Sequence, residues 1–339
     1  MIIRFCKLSR LCHEFLKHVS LLNNGPVKIF LTISIFAFSF NLINGQQTPL
    51  YPVSYRIFNP FIFNPAIAGS KDFCSIDFIA GNYDKSNSQI LGGNMRLPRR
   101  KSYYFTSRPS AEFSNTGIGA TIFNELNGSS HNTGINIAGS YHFTLSEDAL
   151  SFLSVGVAVK AISNHYSWDK DLEKHSENTI FPNFDAGVYF YSSHLFAGVS
   201  STNLLGNPQA PGSDSLYTLP VSLQLFFQIG YKFIISKRLN ILIEPSLIIN
   251  SDDSFSGELK NMIKPELKIY ASNFCFGTFF NDYNKTSFFF QYKYPRFYIG
   301  TYFELPNDSP FYENPILAEI ALGINISAIK SGTFRSYHW

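Results

Sequence analysis

Apolar and polar side chains alternate with a period of two through much of this 339-residue chain. In 133–143, TGINIAGSYHF, one side carries Thr133, Ile135, Ile137, Gly139, Tyr141 and Phe143. Gly134, Asn136, Ala138, Ser140 and His142 fall on the other. Successive side chains of a strand point to opposite faces, so the segment reads as a strand with apolar neighbours on one face and polar groups on the other. Segment 152–160 repeats the pattern. Leu153, Val155, Val157 and Val159 are expected to meet lipid, and Phe152, Ser154, Gly156, Ala158 and Lys160 to point inward. Lys160 decides the face, because a lysine in mid-membrane hydrocarbon costs about 2–4 kcal/mol.

Similar candidates recur at short intervals: 73–83, 88–97, 116–124, 133–144, 152–162, 184–190, 194–200, 219–229, 231–235, 239–249, 263–271, 273–281, 286–292, 297–303 and 318–329. Asn127-Gly128 and the polar link 236–240 have the chemistry of tight turns. Segments 163–181, 201–218, 250–260 and 304–316 read as longer loops. Glu244 and Pro245 together mark a bend or bulge within their strand. The repetition predicts an all-β chain, a transmembrane antiparallel β-barrel of about 14 strands within a range of 12–16. Closure is required because hydrocarbon leaves no partner for an open strand edge.

Composition favours this over a soluble all-β domain with an aromatic core. Charged residues are 15% of the chain, against roughly 25% in soluble proteins, while aromatics reach 17%. Lys28, the apolar stretch IFLTISIFAF and then SFNLINGQQ have the layout of an export signal, with cleavage after Gly45. The stretch is short, and interrupted by Ser and Asn, for a spanning helix. Residues 1–45 are therefore read as an extended amino terminus with a signal peptide, 46–72 as an aromatic, proline-rich segment, and 73–339 as the barrel. Residues 1–26 read as an addition ahead of the signal, with Val27 as an alternative translation start. Five of the 27 basic residues and one of the 24 acidic ones lie in 1–45, leaving 22 and 23 beyond it. The basic excess is thus no nucleic-acid site. Cys74 and Cys275 remain and read as separate packed thiols.

Within 46–72, Pro52, Pro60 and Pro65 interrupt regular structure, and Tyr55, Phe58, Phe61 and Phe63 offer large contact surfaces. Asn59–Pro60 and Asn64–Pro65 are set to form two turns. This segment is expected to pack against the barrel wall or inside its lumen. Enzyme chemistry finds no constellation. The glycines at 92, 93, 117 and 119 lack a phosphate-loop lysine, and His142, His165, His175 and His194 have no zinc or nucleophile spacing. His142 reads as an inward polar strand residue. Asp169, Asp171, Glu173 and Glu177 alternate with Lys170 and Lys174 as in a solvated loop, where Trp168 is a candidate partner contact. Asp252 and Asp253 lack calcium-loop spacing. No catalytic residue, cofactor or metal is expected. Phe288, Phe289, Phe290, Tyr292, Tyr294, Phe297 and Tyr298 suit an interface girdle or the apolar wall, and no basic groove accompanies them for nucleic acid.

At FNPFIFNPAIAGS, 58–70, the chain resembles the PorP/SprF family of outer-membrane proteins associated with type IX secretion. The resemblance continues through 117–128, 133–159, 182–205, 229–250 and 318–326. It implies an outer-membrane β-barrel of a Gram-negative bacterium, lying among outer-membrane lipid. Secretion or gliding-machinery proteins are the implied partners, together with an exported adhesin bearing a carboxy-terminal sorting domain. Asn59, Pro60, Asn64, Pro65, Ala66, Gly69 and Ser70 match the family's first motif as candidates for structural or docking roles. Gly117, Gly119 and Asn124 match the next. Asn183, Gly187, Gly198, Asn203 and Leu204 match a later motif, and Gly230, Glu244, Pro245 and Ser246 match another. Two departures stand out. IDFIAGNYDKSN poorly represents the family's arginine–tryptophan section, and Ala318 replaces the histidine before Glu319. The implied role is non-enzymatic, docking or anchoring an exported adhesin or connecting machinery partners. A small-solute or lipid channel is the alternative.

Overall fold

The computed structural model describes residues 55–326 apart from 72, 84–85, 99–112, 128–129, 147–149, 171–172, 206–222, 237, 253–261, 281–284, 295–296 and 307–316. The expected signal peptide, Pro52, Gly128 and Asp253 lie outside the described residues. A short helical turn, Tyr55–Phe58, and two 3-10 turns, Pro60–Ile62 and Pro65–Ile67, precede the strands.

The strand segments run β1 Cys74–Tyr83, β2 Ser86–Pro98, β3 Phe113–Asn127, β4 Ser130–Ser146, β5 Ser151–Lys170, β6 Glu173–Tyr191 and β7 Leu195–Thr202. They continue with β8 Gln224–Tyr231, β9 Phe233–Ser236, β10 Ile241–Asp252, β11 Ile263–Ala271, β12 Phe274–Phe279, β13 Lys285–Tyr294, β14 Phe297–Pro306 and β15 Leu317–Ile326. Every pairing is antiparallel; β15 returns to β1, and β10 bridges to β11, so the sheet closes. Segments β8 and β9 both pair with β10 and form one interrupted strand, which makes a closed barrel of 14 strands. The interruption falls between Gly230↔Ser246 and Phe233↔Ile243, opposite Glu244 and Pro245. A proline has no N–H for the ladder, so the break appears in its partner strand.

The two faces follow the alternation. Outward stand Ile118, Ile122, Ile135, Ile137, Val155, Val157, Val159, Phe288, Phe290 and Leu322, all exposed. An apolar exterior of this kind is what hydrocarbon requires. Inward residues align in layers through the register. Gly117, Ser140, Gly156 and Gly187 face one another across β3–β6, as do Thr121, Asn136, Lys160 and Asn183. Next comes the apolar layer Phe123, Gly134, Ile162 and Phe181. Of the aromatic run, Phe289 and Tyr298 are buried inside while Phe288, Phe290 and Phe297 face out. Cys74 and Cys275 are free thiols.

Segment 163–181 corrects the expectation of a long loop. Residues 151–170 and 173–191 pair continuously up to Lys170↔Glu173, so this stretch is a tall hairpin. The charges around Trp168 hide its pattern, because an extension beyond the hydrocarbon needs no apolar face. Strand β5, of 20 residues, is far longer than the about 9–11 that cross a membrane. On the exterior Asn124 interrupts the apolar band between Ile122 and Leu126, accepting from Thr133 at 3.2 Å and meeting His131 Nε2 at 2.6 Å.

Candidate functional site

Residues 58–70 stand inside the barrel. Each half of this segment repeats one local device. Pro60 and Pro65 occupy the first positions of their 3-10 turns, where the missing N–H leaves no bond unmade. The Pro60 carbonyl accepts from Phe63 N at 3.1 Å, and the Pro65 carbonyl from Ala68 N at 3.2 Å. Asn64 caps the second turn, its Oδ1 accepting from Ala66 N at 3.1 Å. Ser70 N closes the segment onto the Ile67 carbonyl at 2.9 Å.

Such short turns leave carbonyls without partners, and a buried carbonyl needs one. The barrel supplies them from inward serines on β4, β5 and β7. Ser140 Oγ donates to the Ala68 carbonyl at 2.6 Å, Ser154 Oγ to that of Ala66 at 2.7 Å, and Ser200 Oγ to that of Phe63 at 2.6 Å. His142 Nε2 also lies 3.0 Å from the Ala68 carbonyl, and its Nδ1 lies 3.0 Å from the Tyr191 hydroxyl. Asn64 Nδ2 reaches the Val188 carbonyl at 3.2 Å. Asn59 donates to Asp77 at 2.8 Å and accepts from Asn94, which also accepts from Gly69 N at 3.3 Å. The Tyr298 hydroxyl donates to the other oxygen of Asp77.

Close approach is made possible by inward glycines. A Cβ on Gly117 would sit 2.2 Å from the Ala68 carbonyl oxygen, and one on Gly156 would sit 2.3 Å from Ala66 N. Both obstacles are backbone and cannot rotate away. Gly69 adds a positive φ of 68°, a conformation that glycine adopts without a Cβ penalty. Apolar side chains then fill the remaining space. Phe58, Phe61, Ile62 and Ile67 join Ile79, Ile90, Phe123, Ile162 and Phe181 in one buried cluster. Phe63 crosses toward a second cluster containing Phe226, Tyr270 and Phe289.

Two further groups lie on the wall. Lys160 faces inward as its pattern indicates, 1% exposed, with its ammonium 2.7 Å from Asp185. Asn203 (φ 59°) donates its N–H to Asp185 at 2.9 Å, and its Oδ1 lies 3.5 Å from Lys160. Leu204 N continues the strand ladder onto the Phe184 carbonyl at 2.9 Å. Glu244 is buried between Lys232 at 3.9 Å and Lys268 at 3.5 Å, and Glu266 joins Lys268 at 3.2 Å. Pro245 sits in β10 opposite Leu267.

The structure therefore gathers Asn59, Pro60, Asn64, Pro65, Ala66, Gly69 and Ser70 into one luminal plug. It sets Asn203 and Leu204 beside the Lys160–Asp185 pair and leaves Glu244 in a separate charged group. Trp168 belongs to the tall hairpin, its backbone paired with His175; its side chain lies outside what is described. The sequence pattern set Ser140 and Ser154 on the inward face without a role, and passed over Asp77, Asn94, Ser200 and Asp185. Their signal was a small or polar residue at an inward position on strand after strand, each unremarkable alone. Among the described residues no group of three or more His, Cys, Asp or Glu is placed to hold a metal ion.

Solved structures similar to this chain include several from outer membranes. The transport unit of the autotransporter AIDA-I from Escherichia coli matches with a TM-score of 0.40 at 12% identity, over 88% of this chain and 97% of that one. The translocator domain of autotransporter NalP from Neisseria meningitidis gives 0.38 at 9%, over 75% and 86%. The KdgM porin gives 0.35 at 10%, over 74% and 98%. No curated protein matches. The family model described as type IX secretion system membrane protein PorP/SprF matches residues 44–323. That match runs through the luminal plug and the strands enclosing it alike, and the chain belongs to the PorP/SprF family of type IX secretion membrane proteins.

Proposed function

We propose that this outer-membrane component of type IX secretion works without catalysis, docking an exported adhesin or joining it to the secretion machinery. The observation that carries this reading is the occupied lumen. A segment held by side-chain bonds from several strands, against glycines that admit no Cβ, braces the wall from within. A braced barrel offers rigid surfaces at its rims and leaves the described lumen filled. The same observation weighs against the small-solute or lipid channel. Energy for export comes from elsewhere in the system.

One end has the short links 192–194, 272–273 and 295–296 together with the longer 99–112; the other has the three long connections 203–223, 253–262 and 307–316 beside the short 84–85, 128–129 and 171–172. Short turns mark the periplasmic end of such barrels and longer loops the extracellular end. The tall β5–β6 hairpin rises at the second end, and it takes the place of the loop 163–181 as the recognition element beside 201–218. Photocrosslinkers in 163–181 and 201–205, in intact secreting cells, are expected to capture an exported protein or a secretion component. Capture from none of these positions, with selective solute flux through the purified protein in liposomes, would replace docking with transport.

A further inference from the structure

Four neighbouring strands carry one inward row near the long-loop end of the barrel. Glu319 on β15 is registered with Gly81 on β1, Gly81 with Ser88 on β2, and Ser88 with Glu125 on β3. Asn132 on β4 and Asn164 on β5 extend the row. The row beneath it is apolar. Ala321, Ile79, Ile90 and Phe123 align there, all buried in the same cluster as Phe61 and Ile62 of the plug.

Glu125 is 8% exposed, and its Oε2 has no hydrogen-bond partner. Other inward glutamates are matched by lysines: Glu304 lies 3.0 Å from Lys285, Glu244 3.5 Å from Lys268 and Glu266 3.2 Å from Lys268. Glu125 has no such cation among the described residues. An amide relay holds its other oxygen, since Asn164 Nδ2 donates to Asn132 Oδ1 and Asn132 in turn hydrogen-bonds the Glu125 carboxylate. Asn132 stands on one side of Glu125 and Ser88 on the other, so the relay leaves Oε2 to the Ser88 side. Glu319, 2% exposed, arrives from the opposite direction. Gly81 gives it room. A Cβ there would sit 2.8 Å from Glu319 Cγ, 3.4 Å from its Cδ and 3.2 Å from Ser88 Oγ. The Glu319 carboxyl therefore lies over Gly81, next to the Ser88 hydroxyl.

A buried carboxylate oxygen needs a donor or a cation. A proton alone leaves that need in place, because an acid O–H must itself find an acceptor and none lies within hydrogen-bond distance of Oε2. A divalent cation neutralises both carboxylates at once. The donors are all oxygen, the ligand chemistry of calcium rather than of zinc. With two carboxylates the row holds fewer than three acidic, His or Cys groups, and Ser88 supplies the third ligand. We propose that Glu125, Ser88 and Glu319 bind a divalent cation of the calcium class at the long-loop end of the lumen. The ion spans the seam where the last strand, β15, meets β1, and it clamps β15 to β2 and β3 across that seam. Calcium takes about six to eight oxygens, so water completes the shell. Asn132 is a positioning residue, because it holds Glu125 without touching the ion. The site stands apart from the docking role, which its failure would leave untouched.

The test uses the protein purified in detergent and stripped with EDTA. Calcium alone is expected to bind in equilibrium dialysis and to raise the temperature at which the folded, heat-modifiable mobility is lost. Glu125→Gln keeps the size of the side chain and should fold, yet lose both the bound ion and the thermal response. Asn132→Ala should weaken binding by about 10–100-fold, as loss of an outer partner does. Terbium locates the site without a ligand variant. Its luminescence should be excited through Tyr302, the register partner of Glu319, and should fall in Tyr302→Phe. Absence of calcium binding and of terbium luminescence in the stripped parent overturns the proposal, whether or not Glu125→Gln folds. Binding that Glu125→Gln and Glu319→Gln leave unchanged places the ion elsewhere and overturns it too. An infrared band of a protonated carboxyl that Glu125→Gln removes and calcium leaves in place assigns Oε2 to a proton, with the same consequence.

Discussion

Single residues set how tightly the interior can close. Gly156 faces the Pro65–Ala66 backbone, so Gly156→Val must displace the plug or the wall. Overpacking of this kind costs about 1–3 kcal/mol or more, and the variant is expected to lose its folded mobility at a lower temperature than the parent in a heat-modifiability series. Lys160 and Asp185 make the complementary case, because a buried ion pair is tolerated only while both members are present. Lys160→Met leaves a buried carboxylate without its cation, only the Asn203 N–H still donating to it, and is expected to destabilise by about 3–5 kcal/mol. Pairing it with Asp185→Leu should recover most of that loss in denaturant unfolding. Recovery of nothing would show that the pair is not the reason for the cost.

At the scale of elements, the plug and the strands depend on each other. The two Asn-Pro turns shape the segment, yet its carbonyls are satisfied by Ser140, Ser154 and Ser200 on three strands. Replacing all three serines by alanine removes partners from buried acceptors, each worth about 1–3 kcal/mol. The expected outcome is a barrel that still forms its ladder while the segment 58–70 becomes accessible to protease. Unchanged protection would mean that apolar packing by Phe58, Phe61, Ile62 and Ile67 is sufficient. The faces of the strands can be tested separately. Val157→Lys places an ammonium in hydrocarbon, at about 2–4 kcal/mol near the midplane, whereas Ala161→Lys, nearer the polar boundary, should cost less in folding titrations into lipid.

For the whole molecule, closure is the governing constraint. Fourteen strands close on themselves, β15 on β1 and β10 on β11, and Pro182, which carries no N–H, stands where β6 runs on beyond β7. The height of the wall is uneven: β3 to β6 have 15, 17, 20 and 19 residues, while β7 and β8 have 8 each. Loss of the protein is expected to change the retention of individual exported proteins at the cell surface, measured by comparing secreted and cell-bound fractions. A defect confined to one adhesin would assign specialised docking, and a broad defect would assign a shared machinery role.

Period-two alternation by itself determined the fold class, the approximate strand number and which side of TGINIAGSYHF or FLSVGVAVK meets lipid. That information is local: each strand must hide one face whatever its neighbours are. The turn chemistry of Asn59–Pro60 and Asn64–Pro65 was legible for the same reason. Tertiary structure alone decided that those turns stand inside the lumen and that Gly117 and Gly156 make room for them. It also decided that Lys160 meets Asp185 and that 163–181 rises as a hairpin. These are relations between positions far apart in the chain, set by register and closure. Beyond the membrane boundary, moreover, no solvent difference writes an alternation into the sequence, so a strand there looks like a loop until its partner is found.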